Sequence, residues 1–301
     1  MRLDDEQESS NFEVQDGRGG GFGGGGGMGG LGLLLPLIGS RFGCGGIVVV
    51  LIILAVMGVN PLSLMSGGGG VQQAPQSAPA GSQDASKLTE IQHWSLKVLG
   101  STERVWGQIF KESGQTYTPT VLSFYAQSGT SGCGAAQSAM GPFYCPADQK
   151  VYIDLDFFDV MRKRLGAPGD FAQAYVIAHE VGHHVQNLMG ITDQMEKARA
   201  RVSEREYNAL SVRLELQADC FAGIWAHHNH KTGAVIEPGD VEEALNAAAA
   251  IGDDALQRKS QGQVIPDSFT HGTSAQRQRW FDTGLKTGSV QACDTFKAQT
   301  L

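Results

Sequence analysis

The sequence predicts an α+β protein, mostly helical with a small sheet, behind one N-terminal transmembrane helix. A long uncharged apolar run lies between two glycine-rich tracts near the N-terminus. Two stretches rich in aromatic and β-branched residues come later, and the rest of the chain shows helical periodicity. These patterns divide the chain into a tail (1–41), a transmembrane helix (42–65), a linker (66–86) and one folded domain (87–301).

The tail is predicted to be disordered and to lie in the cytoplasm. Its first 30 residues combine acidic side chains with many glycines and contain almost no branched apolar residues. Such a composition does not bury enough apolar surface to offset the entropy lost on folding. The linker, rich in Gly, Gln, Ser, Ala and Pro, is predicted to be a flexible tether.

The run from Phe42 to Val59 carries no charge and is just long enough to cross a bilayer as a helix. A buried core strand or helix is the alternative, but the flanking glycine-rich tracts offer nothing for it to pack against. Arg18 and Arg41 precede the run, and no basic residue follows it before Lys87. This asymmetry predicts a single-pass protein of the inner (cell) membrane, with the N-terminus cytoplasmic and the domain periplasmic or extracellular.

The cysteines favour the same location. Apart from Cys44 in the predicted span, the chain has four, Cys133, Cys145, Cys220 and Cys293. An even number fits two disulfides in an oxidising compartment. The short gap between Cys133 and Cys145 favours a local bridge, which leaves Cys220 with Cys293, although four cysteines allow three pairings.

The elements of the domain follow from periodicity and from capping residues. Asp170 is predicted to cap the long central helix, Gly190 to close it, and Ser274 to cap the last helix. The predicted elements are one or two helices over 88–110, a strand over 120–127, a hairpin over 143–155 turning at 146–149, a short helix over 156–166, the long helix over 171–188, a charged helical stretch over 192–205, and helices over 207–227, 238–253 and 274–285.

The long helix contains YVIAHEVGHHVQ, residues 175–186, which includes an HExxH motif. His179 and His183 are four apart, so they project from one face and their nitrogens can converge on one zinc ion. Glu180 lies about 100° further round the helix and can take a proton from a water at the metal. A helix with solvated polar residues would not explain the apolar residues around them, since buried ionisable groups need partners. His184 faces elsewhere and is predicted to be a packing or surface residue.

A catalytic zinc site needs a third protein ligand. The best candidate is Glu215, in an apolar second helix, with Asp219 one turn later placed to accept the Nδ1 proton of a ligand histidine. A salt bridge to Arg213 or Arg277 is the alternative role for Asp219. Other candidates for the third ligand are Asp219 itself, Glu206, and the histidines His227, His228 and His230.

His271 stands just before the last helix, in FTHGTSAQRQRWF. An imidazole there can donate a hydrogen bond to the oxyanion that develops when a carbonyl is attacked. A capping or loop role is an equal alternative.

HEVGHH followed about 30 residues later by ELQADCFAG resembles the bacterial putative neutral zinc metallopeptidases, a family of single-pass proteins. The resemblance covers nearly the whole chain, including the N-terminal segment, GPFYCPADQKVYIDLDFF and SFTHGTSAQRQRWF. It implies a zincin fold of the gluzincin type, with His179, His183 and Glu215 on zinc, Glu180 as base and Asp219 behind a ligand histidine. The ExxAD arrangement is also similar to that of membrane-embedded CAAX-prenyl and heat-shock metalloproteases, but those have several spans, so their substrates are not carried over.

The predicted function is that of a membrane-anchored zinc endopeptidase acting on peptides or proteins, whose backbone an edge strand near Val151 to Leu155 would bind. A non-catalytic, zinc-stabilised envelope scaffold or binding protein is the first alternative, although a structural site does not need Glu180. Hydrolysis of a non-peptide bond is the second. The net charge of −8 argues against a nucleic-acid partner.

Overall fold

The computed structural model describes residues 1–15, 84–232 and 236–301. Its helices are α1 (Glu90–Glu112), α2 (Asp156–Val160), α3 (Asp170–Leu188), α4 (Ile191–Arg199), α5 (Glu204–Thr232), α6 (Asp240–Ala250), α7 (Asp253–Gln261) and α8 (Ser274–Thr287). Its strands are β1 (Phe12–Val14), β2 (Val121–Tyr125), β3 (Ser128–Ser131), β4 (Gly134–Gln137), β5 (Phe143–Cys145) and β6 (Lys150–Asp154). This mostly helical arrangement with a small sheet agrees with the predicted α+β class.

Helices α3 and α5 form the centre of the domain and are buried along most of their length. Their backbones approach closely at Gly182, where a Cβ atom would lie 2.9 Å from the carbonyl oxygen of Ala218. A side chain at this position would force the helices apart. The close approach brings the HExxH face of α3 against the part of α5 that carries Glu215 and Asp219.

Four strands form the main sheet, in the order β1-β2-β6-β5. The pairs β1–β2 and β2–β6 are parallel, whereas β5 and β6 are antiparallel, with Tyr144 opposite Val151. The predicted hairpin over 143–155 is therefore confirmed. The prediction that Val151 to Leu155 is an edge strand is wrong, because β6 pairs on both sides and β5 lies at the edge.

The sequence analysis placed two helix caps one residue too late and did not predict four elements, β1, β3, β4 and α7. Gly169 rather than Asp170 caps α3, and Thr273 rather than Ser274 caps α8, through a capping box with Gln276. Asp170 is the first helical residue instead, and its carboxylate accepts hydrogen bonds from the Met1 amino group. The hairpin strands β3 and β4 consist mostly of small residues, α7 is short and mostly polar, and β1 lies in the segment predicted to be disordered.

The prediction that the first 41 residues are disordered is wrong for residues 1–15. Met1 and Leu3 are buried in the main core, and β1 adds a parallel strand to the sheet, with Phe12 opposite Leu122. The composition argument assumed that this segment must bury its own apolar residues. A strand added to an existing sheet gains main-chain hydrogen bonds, which depend little on composition.

The acidic side chains of the N-terminal segment pair with the domain. Glu6 contacts Arg104 at 2.5 Å, and Glu13 contacts Lys150 at 2.6 Å. Helix α1 has a glycine where the segment crosses it, because a Cβ atom at Gly100 would overlap the carbonyl oxygen of Gln7. The acidic residues that suggested a solvated tail therefore form ion pairs that help attach the segment to the domain.

The position of β1 bears on membrane topology. A strand that belongs to the sheet of the domain lies on the same side of any membrane as that domain. This conflicts with the predicted single-pass arrangement, in which the N-terminus and the domain lie on opposite sides. The predicted span over 42–65, the linker and the rest of the tail lie outside the described residues. Among the helices of the described residues, none is both long and apolar enough to cross a bilayer.

Both predicted disulfides are formed. Cys133 bonds to Cys145 and Cys220 to Cys293, with Cα atoms 5.8 and 5.7 Å apart. The first bridge ties the loop between β3 and β4 to the end of β5. The second ties α5 to the C-terminal segment that follows α8.

Candidate metal centre

Three side chains converge between α3 and α5. Nε2 of His179 lies 3.2 Å from one carboxylate oxygen of Glu215, and Nε2 of His183 lies 3.5 Å from the other. One donor atom from each of the three lies within 4.8 Å of the others. Ligands of a tetrahedral zinc ion stand about 3.3 Å apart at ordinary zinc–ligand bond lengths. The donor set and spacing therefore fit zinc, with His179, His183 and Glu215 placed to hold it.

The second nitrogen of each histidine has a fixed acceptor. Nδ1 of His179 is 2.8 Å from Asp219, as predicted, and Nδ1 of His183 is 2.8 Å from the amide oxygen of Gln186. These acceptors require hydrogen on Nδ1 and leave Nε2 facing Glu215. The role of Gln186 was not predicted, although its position three residues after His183 in the same helix was a usable signal.

Asp219 belongs to a larger buried network. Nε and Nη2 of Arg277 each lie 2.8 Å from Asp219, and the Tyr175 hydroxyl donates to it at 2.5 Å. Arg277 is 2% exposed and Asp219 is fully buried. Asp219 therefore forms both the contact with His179 and the alternative salt bridge to Arg277. Arg213 instead donates a hydrogen bond to the C-terminal segment.

Charges within this cluster shift its protonation equilibria. Burial raises the pKa of Asp219, but Arg277 and His179 outweigh burial and lower it to about 2. Burial lowers the pKa of His179, yet Asp219 and Glu215 raise it to about 10. Burial likewise opposes ionisation of Glu215, but His183 and His271 hold its pKa well below the ordinary value. The carboxylates are thus ionised at neutral pH, and a metal bound at His179 would displace a proton from it.

Glu180 lies at the cavity wall, next to the ligand histidines in sequence. Its side chain is largely buried, and no hydrogen bond or ion pair joins its carboxylate to the residues that the structure describes. Its carboxylate oxygens are not fully enclosed by protein, because they border the cavity. This arrangement leaves Glu180 available to a water or substrate in the cavity.

His271 lies in the same cavity, held by a carboxylate that the sequence did not reveal. Oδ2 of Asp253 accepts the backbone N–H groups of Thr270, His271 and Gly272 at 2.7, 2.6 and 3.1 Å, and its Oδ1 lies 3.4 Å from Nδ1 of His271. Burial opposes protonation of His271, but Glu215 and Asp253 raise its pKa. Asp253 begins α7, an element that was not predicted.

The remaining candidate ligands lie elsewhere. Glu206 is exposed and bonds to Ser203 at the start of α5. His227 and His228 face the carbonyl oxygens of Leu285 and Gly288, where they stabilise the end of α8. His230 is exposed. The structure brings none of these four to the converging group.

A cavity of about 450 Å³ opens over the three converging side chains. The edge strand β5 and the helices α3, α4 and α5 contribute to its walls. Most of the lining is apolar, and its polar groups include His179, Glu180, His183 and Glu215. The apolar lining includes Phe143, Tyr144, Phe157, Val176, Met195 and Leu256.

Comparison with known proteins agrees with this geometry. The family model described as "Putative neutral zinc metallopeptidase" matches residues 1–296. This chain belongs to that family. The match includes the N-terminal segment that carries β1, as well as the helices that carry the HExxH motif and Glu215.

Similar proteins are found among curated bacterial proteins. The chain is 49% identical over 299 residues to the Escherichia coli K12 "Uncharacterized protein YpfJ", covering 98% of this chain and 99% of that protein. It is 44% identical over 211 residues to the Mycobacterium tuberculosis H37Rv "Uncharacterized protein Rv2575", covering 67% and 69% of the two chains. No solved structure matches the chain.

Proposed function

We propose that the protein is a zinc-dependent peptidase that hydrolyses peptide bonds with Glu180 as general base. The observation that carries the proposal is the Glu180 carboxylate, which borders the cavity beside a His2Glu donor set and has no hydrogen-bond or ion-pair partner among the described residues. The cavity is large enough for peptide side chains. Zinc, when bound, supplies Lewis acidity toward water and a carbonyl. A zinc site that only stabilises the fold usually has four protein ligands and does not need a free carboxylate.

The residues of the chain divide the remaining work. Glu180 takes a proton from the attacking water and later gives it to the leaving amine. His271 donates a hydrogen bond to the oxyanion, and Asp253 orients the loop that carries it. The edge strand β5 offers main-chain groups that bind an extended peptide as an additional strand.

Substitution of Glu180 by Gln tests the mechanism. E180Q keeps nearly the same shape and all three zinc ligands, so zinc content should stay at one ion per chain while turnover of a fluorogenic peptide library falls by at least about 100-fold. The matched control is E196Q, because Glu196 lines the same cavity away from the HExxH motif. Turnover by E180Q at the wild-type rate would refute the role of Glu180. Zinc content without turnover in the wild type would favour the scaffold alternative.

We also propose that the domain acts outside the cytoplasm, attached to the cell membrane. The two disulfides support an oxidising compartment. The apolar run at 42–59 supports attachment. Because β1 joins the domain sheet, a chain that leaves the domain at Gln15 and returns at Asp84 crosses a membrane an even number of times or not at all. Reporters fused at the two ends of the chain should therefore lie on the same side, and reporters on opposite sides would show that β1 does not pair in the cell.

A further inference from the structure

His184 follows the ligand His183 and has no place in the proposed chemistry, yet it is completely buried. Its Nε2 lies 2.7 Å from the carbonyl oxygen of Thr118, and its Nδ1 lies 3.0 Å from the hydroxyl of Tyr144. A carbonyl oxygen only accepts, so Nε2 carries the hydrogen. Nδ1 of the neutral ring then accepts from the Tyr144 hydroxyl.

Tyr144 is the central residue of the edge strand β5. Its hydroxyl also accepts a hydrogen bond from the side-chain amide of Asn187 at 3.1 Å. Two side chains of α3 therefore hold one hydroxyl group of the strand. The neighbours of Tyr144 point to the other face of the sheet, where Phe143 stacks on Tyr152 with ring centres 5.0 Å apart.

The backbone alone fixes β5 weakly. The strand has three residues, and β6 is its only hydrogen-bonded neighbour in the sheet within the described part of the chain. Short edge strands open easily, because few main-chain bonds must break. The Cys133–Cys145 disulfide anchors the last residue of β5, and the contacts of Tyr144 with α3 hold its centre beside the cavity.

We propose that His184 is a positioning residue for the substrate. Through Tyr144 it sets the position of β5 above the HExxH helix, so that a peptide bound along the strand edge meets Glu180 and the metal ligands in register. This inference rests on the proposed peptidase function. The inference gives His184, which directly follows the motif, a role other than metal binding.

The test compares Y144F with Y117F. Tyr144→Phe removes only the hydroxyl that His184 and Asn187 hold. Tyr117 lies in the same aromatic cluster, with its ring centre 5.8 Å from that of His184, but its buried hydroxyl has no hydrogen-bond partner among the residues that the structure describes. Tyr117→Phe is therefore a matched control for the loss of one buried hydroxyl.

For Y144F we expect faster amide hydrogen exchange at β5, on the order of tenfold, and a similar rise in KM for a fluorogenic peptide cleaved by the wild type. The kcat should change less than KM, and the zinc content should not change, because no ligand is touched. Y117F should match the wild type in exchange and KM.

Equal exchange and equal KM in the two variants would overturn the inference. Faster exchange with unchanged KM would show that the Tyr144 hydroxyl holds β5 but that the strand does not position the substrate, which also overturns the inference. A wild-type zinc protein that cleaves no peptide would refute the proposed function and the substrate role of His184 together, whereas the exchange measurement would still report whether the strand is held.

Discussion

Ion pairs occur in two regions of the protein, around the HExxH helix and along the N-terminal segment, but their side chains are buried to different extents. Around α3, Asp219 and Arg277 are 0% and 2% exposed in their side chains, and four donors surround one carboxylate. In the N-terminal segment, Glu6 and Arg104 are 9% and 33% exposed, and Glu13 and Lys150 are 13% and 14% exposed.

The difference teaches where a charge pair is indispensable. A fully buried pair costs several kcal/mol if one partner is lost, because the other charge stays buried without compensation. A partly exposed pair can turn to water, so its removal costs much less. We therefore expect the metal centre to depend on its ion pair, and the N-terminal segment to depend more on backbone contacts than on its ion pairs.

The largest expected effect is that of R277M. Loss of the guanidinium leaves the Asp219 carboxylate with only His179 and Tyr175, so the free energy of unfolding should fall by about 3–5 kcal/mol. Zinc affinity should fall by roughly 10- to 100-fold, because the partner of a ligand histidine is no longer held. Chemical denaturation and zinc competition with a chelator measure the two effects. R279M, on the exposed face of the same helix, should change neither, and an equal loss in R279M would contradict the assigned role.

An intermediate effect is expected for D253N. The Asp253 carboxylate accepts hydrogen bonds from three backbone N–H groups. Replacement by an amide should lower the free energy of unfolding by about 1–3 kcal/mol. The buried Asp253 would resist ionisation, but His271 and the backbone N–H groups lower its pKa below 3.8, so this contribution is present above that pH and is lost as pH falls through the depressed pKa. The difference in stability between wild type and D253N should therefore narrow in acid. D267N, which alters an exposed ion pair, should show no such trend. If the difference in stability between wild type and D253N grew as the pH fell, the ionised Asp253 carboxylate would not be the stabilising group.

The smallest expected effect compares two glycines of α1. A Cβ atom at Gly100 would overlap the backbone of the N-terminal segment, whereas nothing lies within 4 Å of one at Gly107. G107A should stabilise the protein by about 0.5–1 kcal/mol, because alanine favours helix. G100A should not show this stabilisation, because its side chain would displace residues 1–15. Thermal unfolding measures the stability, and limited proteolysis detects the displaced segment. Equal stabilisation by both substitutions would show that the segment does not dock on α1.

The site residues that the sequence predicted are those whose roles follow from spacing within one helix. The HExxH spacing indicated the two histidines and Glu180, since helical geometry places residues four apart on one face. Glu215 and Asp219 were accessible for the same reason, because an apolar helix signals that its acids need partners. Gln186 was missed although its spacing from His183 was informative, whereas Asp253 was missed because a carboxylate at the start of a helix carries no distinctive pattern.

The sequence by itself determined the helix periodicity, the β5–β6 hairpin and the donor types of the metal centre, because each follows from spacing along the chain. The tertiary structure decided which strand is the edge, that residues 1–15 belong to the sheet, and that Arg277, Asp253 and His184 support the centre. These contacts join residues far apart in the chain, and their energies come from burial and main-chain pairing, which composition does not record.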